Sequence, residues 1–437
     1  MVRLRSVRSG KCRAMSQEDD EQVRAAAETA ARQSYGKLVA FLAARTRDVA
    51  GAEDALSEAF ATALTDWPVN GIPKNPNAWL MTVARRKMID STRRRRNSED
   101  AVDHLRLMAD EMESAAARNA EIPDDRLLLM FACAHPAIDP DIRAPLILQT
   151  VLGFDAATIA SAFLVSPATM GQRLVRAKAK IRQAGIPFRV PPAAEFGERL
   201  DAVLDAIYAT FAEGWSDAAG TETRQRNLAE EGIWLGALVA SQLPDEPEAL
   251  GLSALMLHAE ARRAARRDAQ GDYVPLVDQD AKLWNRELIG EAEALLVRAS
   301  RMSRVGRYQL EAAVQSAHAI RRLTGRPDWT AIEQLYDALY VITGSPVVAI
   351  NRAIVIAGMR GPAAGLAALD AIADDARLRE YQPYWAARAE LLMRTGDARA
   401  ADSAYARAIG LEPDPAVRRF LQRRQLCSRP TDPNAQS

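Results

Sequence analysis

The stretch Ala52–Arg96, AEDALSEAFATALTDWPVNGIPKNPNAWLMTVARRKMIDSTRRRR, decides how the rest of the chain is read. It places Ala52, Ala55, Leu56, Ala59, Phe60, Ala63 and Leu64 at helical spacing, with Glu53, Asp54 and Glu58 outside that stripe. One face of this helix packs while the other presents acid. Pro68, Gly71, Pro73 and Pro76 then forbid a continuous helix from Trp67 to Asn77 and leave a constrained loop. A second helix starts near Asn77, buries Trp79, Leu80, Val83, Ala84 and Met88, and ends in Arg93–Arg96. Its polar side is cationic, because Arg85–Arg96 carries seven basic residues against the single Asp90.

A second helical group follows Pro123. Leu127–Ala134 reads as a helix stopped by His135-Pro136, and Asp141–Leu152 as another, closed by Gly153. Asp155 is placed to N-cap a short helix carrying Ile159, Ala160 and Phe163, and Ser166-Pro167 supplies the N-cap and first-turn proline of the next. Two helices joined by so short a turn are a helix-turn-helix signature. In the second of them Met170, Leu174, Ala177 and Ile181 form the packed stripe, and Thr169, Arg173, Arg176 and Lys180 the polar one beside it. Such a helix can be held by its apolar side while its basic side lies in a major groove. Gly171 adds no side chain to any readout. Ala156–Arg189 contains no carboxylate, whereas Asn97–Asp125 holds nine acidic residues and two arginines. The pattern is two basic surfaces joined by an acidic connector.

The whole chain hides this polarity. Its 437 residues carry 57 basic and 57 acidic side chains, so net charge advertises no nucleic-acid partner. The length calls for more than one domain. Cys12, Cys133 and Cys427 are too few and too scattered for a disulfide framework, which fits a reducing cytoplasm. No run approaches the roughly 18 apolar residues that a membrane-spanning helix requires. Met1–Met15 is basic without an apolar core, so it is no secretory signal. Met1–Ala14 reads as either an extension ahead of a true start at Met15 or a disordered arm. An enzyme is disfavoured: Gly251-Leu252-Ser253 continues into Ala254-Leu255 and lacks the glycine of a nucleophile elbow, and no phosphate-binding glycine loop appears. Cys133-Ala134-His135 has no second ligand pair nearby, so no metal and no cofactor is expected, and Cys133 reads as a buried thiol.

Beyond Pro191-Pro192 about 240 residues remain, again helical by pattern. Trp385, Ala389, Leu392, Gly396, Ala401, Tyr405, Ala408 and Pro413 occupy the register of a tetratricopeptide repeat. One such unit cannot bury its own face, so neighbours are implied. Gly361 with Ala363, Ala367 and Ala368, and the run Gly306–Arg322, are weaker matches that an ordinary helical bundle also explains. Arg262, Arg263, Arg266, Asp278, Asp280 and Trp284 form a charged, aromatic group that either meets a partner or closes as an internal salt-bridge network.

The resemblance carried by these runs is specific. AEDALSEAFATAL, DWPVNGIPKNP and NAWLMTVARRKMIDSTRRRR resemble the second conserved region of the extracytoplasmic-function sigma factors, and FDAATIASAFLVSPATMGQRLVRAKAKIR resembles their fourth region. Thr158, Met170 and Lys178 depart from the usual acid, valine and arginine of that fourth-region pattern. The blocks FAEGWS, LMLHAEARRAARRD, DQDAKLWNRELI and SPVVAINRAIVIAGMRGPAAGLAALD resemble a subfamily with a fused, tetratricopeptide-like extension.

That resemblance implies an all-α protein: a disordered or superfluous start (1–20), a region 2 domain (21–97), an acidic linker (98–123), a region 4 helix-turn-helix domain (124–190), a helical repeat extension (191–425) and a disordered tail (426–437). It implies that Asp54 and Glu58 meet core RNA polymerase while Leu56 and Phe60 hold their helix. The -10 promoter element would fall to Asn75 and Asn77 in the loop and to Arg85, Arg86, Lys87, Arg93, Arg94 and Arg95. Melting needs cations for the phosphates and a pocket for an unstacked base. Trp79 lies on the apolar stripe, which assigns it to core packing rather than base stacking. Asp90 either orients a neighbouring arginine or caps local charge. Thr169, Gln172, Arg173 and Arg176 would enter the major groove at the -35 element, with Lys178 and Lys180 on phosphates. Promoter DNA and core polymerase are then the partners, and the extension acts in cis on the sigma domains or carries a protein partner on its repeat surface. Two rivals do without the Ala52–Arg96 pattern: a helix-turn-helix regulator with a repeat-type sensor that never joins the polymerase, and a pure scaffold.

Overall fold

A computed structural model describes residues 17–95, 123–163, 165–216 and 223–428. Most of the acidic linker, the first 16 residues, Arg96 and the last nine residues lie outside the described residues. Among the described residues the all-α expectation holds, with nineteen α-helices, a few 3-10 turns and one isolated antiparallel bridge between Arg267 and Tyr273. No helix among them is long and apolar enough to cross a membrane. They fall into two compact units, Met1–Ala206 and Ile207–Ser437.

The first unit contains α1 (Gln17–Thr46), α2 (Val49–Asn70), α3 (Pro76–Arg95), α4 (Arg126–Cys133), α5 (Pro140–Leu152), α6 (Ala156–Ala162) and α7 (Pro167–Gln183). Asp48 caps α2 by accepting a hydrogen bond from the Gly51 amide at 3.0 Å. The predicted stripe is the buried one: Ala52, Ala55, Leu56, Ala59 and Ala63 pack inward beside Leu80, Ala84 and Met88 of α3. Three details differ from expectation. First, α2 runs through Pro68 to Asn70 and stops at Gly71, whose φ of +86° no other residue adopts easily. The missing proline N–H falls in the last turn, where it costs one helical bond only. Second, Leu64 is 47% exposed because its end of the stripe borders an open groove. Third, Phe163 lies just past the end of α6 and faces out.

The two helical groups of this unit share one core. α1 packs on α4 and α5 as well as on α2 and α3, and α2 packs on α7. The approach of α1 to α5 is so close that a Cβ on Gly36 would sit 1.8 Å from the Val151 carbonyl oxygen. Arg45 adds an ion pair to Asp125 at 2.8 Å while its guanidinium stacks on Phe41. The expected caps are present. Asp155 accepts from the Thr158 amide at 2.8 Å, Ser166 from the Thr169 amide at 3.2 Å, and Gly153 closes α5 in the left-handed region.

The boundary with the second unit falls inside α8 (Gly197–Ser216). The second unit continues with α9 (Thr223–Gln242), α10 (Pro247–Glu260), α11 (Arg286–Ser300), α12 (Arg307–Ala319), α13 (Arg321–Thr324), α14 (Trp329–Thr343), α15 (Pro346–Arg360), α16 (Pro362–Asp370), α17 (Gln382–Thr395), α18 (Ala398–Leu411) and α19 (Pro415–Ser428). α10 is buried almost all round, as expected of a helix enclosed by others. α9, α11 and α12 cover it. Its Gly251 is a packing device: a Cβ there would lie 2.5 Å from the Gln309 amide nitrogen of α12. Glu248 caps α12, taking the Tyr308 and Gln309 amides at 2.9 and 3.0 Å. From α14 onward each helix packs on the next, and Ala389, Leu392, Ala401, Tyr405 and Ala408 form one cluster against which Trp385 packs. Gly396 makes the turn at φ +89°.

Gly36 offers a direct test of the shared core in the first unit. Gly36→Ala forces a backbone collision and should destabilise this unit by at least about 1–3 kcal/mol, the usual cost of overpacking. Denaturation followed by the fluorescence of Trp67 and Trp79 reads it, and an unchanged midpoint would contradict the packing.

Candidate nucleic-acid interface

The cationic surface begins at the start of α3. Asn75 caps that helix, accepting from the Ala78 amide at 3.1 Å, and Pro76 follows at its first position. Asn75 therefore spends its side-chain oxygen on the helix. Asn77 is half-buried, Arg86 is exposed and Arg85 is half-buried. Lys87 bridges to Glu58 of α2 at 3.0 Å, in a pair that stays largely hydrated. Asp90 is exposed. The side chains of Arg93, Arg94 and Arg95 lie outside the described residues, although their backbone completes α3. Trp79 meets the buried Trp67 edge-on at 5.5 Å between ring centres, the packing role its position predicts.

α7 is the helix expected to read DNA. Met170, Leu174, Ala177 and Ile181 are buried, as the sequence pattern requires. Thr169, Gln172, Arg173, Arg176 and Lys180 are exposed on the opposite side. The Thr169 hydroxyl lies 2.8 Å from the Ser166 hydroxyl, which orients it at the helix start. A Cβ on Gly171 would meet nothing within 4 Å among the described residues.

Lys178 is elsewhere. It pairs with Glu53 of α2 at 2.6 Å, with side-chain exposures of 12% and 11%. Arg182, one turn on, reaches Asp48 at 3.3 Å. At 100° per residue Lys178 and Arg182 project well away from Arg173, Arg176 and Lys180, so the face of α7 that holds the unit together is not the face that is free. Sequence reasoning grouped Lys178 with the phosphate contacts and set Glu53 among the outward acids. A helical wheel separates Lys178 from the arginines, but nothing in the sequence says that α2 supplies its partner. Burial pushes the Glu53 carboxyl above the usual carboxylate range, against which the Lys178 ammonium and its hydrogen bond pull it down.

The outward side of α2 carries the remaining acids. Asp54 and Glu58 are exposed, whereas Leu56 is fully buried and acts only by fixing the helix. Phe60 is half-buried and lines, with Val23, Ala27, Ala31, Leu64 and Pro68, a groove of about 680 Å³ beside them. Among the described residues no group of three or more His, Cys, Asp or Glu side chains converges as a metal site. Cys133 is fully buried against the Thr150 hydroxyl, and burial pushes its thiol up to about 12, which leaves it inert.

Comparison with known proteins bears on the same segment. Residues 31–98, spanning most of α1 through α3, match sigma-70 region 2. Residues 199–300 match a family of unknown function, DUF6596. The chain is 41% identical over 384 residues to the uncharacterized protein R00370 of Rhizobium meliloti, covering 87% of this chain and 89% of that one. It is 32% identical over 162 residues to the probable RNA polymerase sigma factor RfaY of Xanthomonas campestris pv. campestris, covering 34% of this chain and 40% of that protein. No solved structure matches.

The Glu53–Lys178 pair makes a pH-dependent prediction. Lys178→Met strands a buried carboxylate and should cost the first unit about 3–5 kcal/mol near neutral pH. With its native pKa raised, Glu53 binds a proton on folding between its unfolded and folded values, so stability falls as pH rises through that interval. Loss of Lys178 widens the interval upward. The Lys178→Met defect in thermal midpoint should therefore be larger at pH 8 than at pH 5, and Glu53→Gln added to Lys178→Met should remove most of the difference.

Proposed function

Since the chain belongs to one family with the Rhizobium meliloti protein R00370 and carries a sigma-70 region 2, we propose that it is a sigma factor of the extracytoplasmic-function type. On this reading it binds core RNA polymerase in the cytoplasm through Asp54, Glu58 and the groove at Phe60, and it brings promoter DNA to two helices. The single observation that carries the proposal is the coincidence of the region 2 match at 31–98 with the helix trio whose last member ends in a cationic run. The chemistry is recognition: phosphate charges are met by arginines, and base edges are read by Arg173, Arg176, Gln172 and Thr169 at the -35 element. α3 and the Asn75 loop hold the opened strand at the -10 element. The helical second unit, with its tetratricopeptide-like register, modulates this activity.

The reading has a geometric consequence. Elements named for positions -35 and -10 lie about 25 base pairs apart, or ~85 Å along the duplex at ~3.4 Å per pair. A compact body of 206 residues has a radius of gyration of about 17 Å and hence a diameter on the order of 43 Å. α3 and α7 therefore cannot reach both elements from one closed body. Promoter engagement requires the first unit to open, and opening breaks the Lys178–Glu53 and Arg182–Asp48 pairs.

Reconstitution tests both points. Core polymerase plus the full chain should start transcription at discrete promoters, and reversing charge with Arg173→Glu and Arg176→Glu should lower that output at least about ten-fold while core association persists. DNA binding without any core association would replace this reading with that of a free-standing regulator. Energy transfer between labels at the exposed positions Thr65 and Gln183 should fall when core polymerase is added; unchanged transfer in an active complex would refute the opening.

A further inference from the structure

The segment that joins α10 to α11 folds as three 3-10 turns, Arg263–Ala265, Leu276–Asp278 and Ala281–Leu283, tied to α10 by the Asn285 amide on the Ala261 carbonyl at 2.8 Å. The turns crowd arginines against α12, α13 and α14. Most acids of this neighbourhood are already engaged, while Asp278 and Asp280 face solvent. Glu260 pairs with Arg263, Asp414 with Arg267, Glu311 with Arg307, and Asp272 with Arg419 and Arg423. Glu293 accepts from the Ser316 hydroxyl at 2.6 Å and faces His258 at 3.5 Å.

Among the described residues, Arg262, Arg266 and Arg321 hydrogen-bond to neutral partners alone. Arg262 donates to the Gln315 side-chain oxygen at 2.6 Å. Arg266 donates to the Trp215 carbonyl at 2.7 Å and lies 4.2 Å over the Trp215 ring. Arg321 donates to the carbonyls of Leu276, Val277 and Gln279 and stacks on Trp284 at 5.1 Å. All three are half-buried. Arg262 feels the repulsion of both Arg266 and Arg321, and burial together with that repulsion pushes its guanidinium down to about 10. Burial and Arg262 hold His258 and His318 down at about 4, so both imidazoles are neutral near pH 7 and supply no compensating or competing charge. The Tyr273 and Tyr336 hydroxyls, made less acidic by burial, are close enough for the Arg262 charge to work against that shift.

A half-buried guanidinium is stable when an anion answers it. Here the carboxylates that pair with a guanidinium pair with other arginines. The planar fork of Arg262, with unused N–H donors and neutral hydroxyls beside it, has the donor geometry of a bidentate oxoanion contact. We propose that Arg262, supported by Arg266 and Arg321, forms a binding site for the carboxylate or phosphate group of a small ligand. The site belongs to the second unit alone and is independent of the sigma-factor reading.

Calorimetric titration of the full chain at constant ionic strength, with sodium phosphate in one arm and sodium malonate in the other, tests it. At least one anion should bind saturably at one site. Response to phosphate alone identifies a phosphate ligand, and response to malonate alone a carboxylate. Arg262→Gln should weaken binding at least ten-fold, and Arg263→Gln, which removes the same charge from an arginine already paired with Glu260, should leave it within two-fold. Arg266→Gln, expected to weaken binding several-fold, keeps the test decisive if Arg262→Gln fails to fold by circular dichroism. Absence of saturable binding of both anions to the wild-type chain overturns the proposal, as does equal loss in Arg263→Gln.

Discussion

One ion pair carries the arrangement of the first unit. Glu53 is withdrawn from water at the start of α2, and Lys178 reaches it from α7, 125 residues away in sequence. Neither charge tolerates burial without the other, since a buried ion loses several kcal/mol of hydration that only a well-placed partner returns. The pair therefore acts less as glue than as a constraint: any arrangement that keeps α2 closed on α7 must keep these two atoms together. Arg182–Asp48 and Arg45–Asp125 repeat the theme closer to solvent, where each contributes less. The contacts between the two helical groups thus combine a tight backbone approach at Gly36 with charge pairs.

That combination explains what was legible beforehand. The stripes of α2, α3 and α7 and the caps at Asp155 and Ser166 follow from local rules, and they are where the pattern puts them. Local rules failed where a residue's role is set by a distant segment. Glu53 looks like one more acid on an acidic helix face, and Lys178 like one more cation on a basic helix. Their burial depends on a tertiary contact that has no periodic signature. Leu64 failed for the converse reason: its spacing is apolar and helical, but nothing in the described residues covers that end of α2.

The second unit shows the same division. The spacing of small residues around Trp385 and Tyr405 is a local pattern, and those small residues are buried. Glycines that look like weak points turn out to be contacts. Gly251 sits in the middle of a buried helix, where it costs about 1 kcal/mol of helix propensity, because α12 passes too close for any side chain. Gly365 does the same for α15, with a hypothetical Cβ 2.8 Å from the Ala353 carbonyl oxygen. Gly306 leaves room for the Glu248 carboxylate that caps α12.

The group singled out in sequence as charged and aromatic divides once it is folded, and the division matters more than the composition. Asp278 and Asp280 face solvent, and Asp280 merely caps the Lys282 amide at 2.9 Å. Arg263 closes on Glu260 as a partly buried pair. Trp284 is buried under Arg321. An internal salt-bridge network accounts for Arg263, but it does not account for Arg262 and Arg266, whose hydrogen-bond partners are uncharged. Composition alone counts acids and bases in a loop and finds balance. Geometry decides which charges meet, and among the described residues Arg262 and Arg266 of this loop hydrogen-bond to neutral groups.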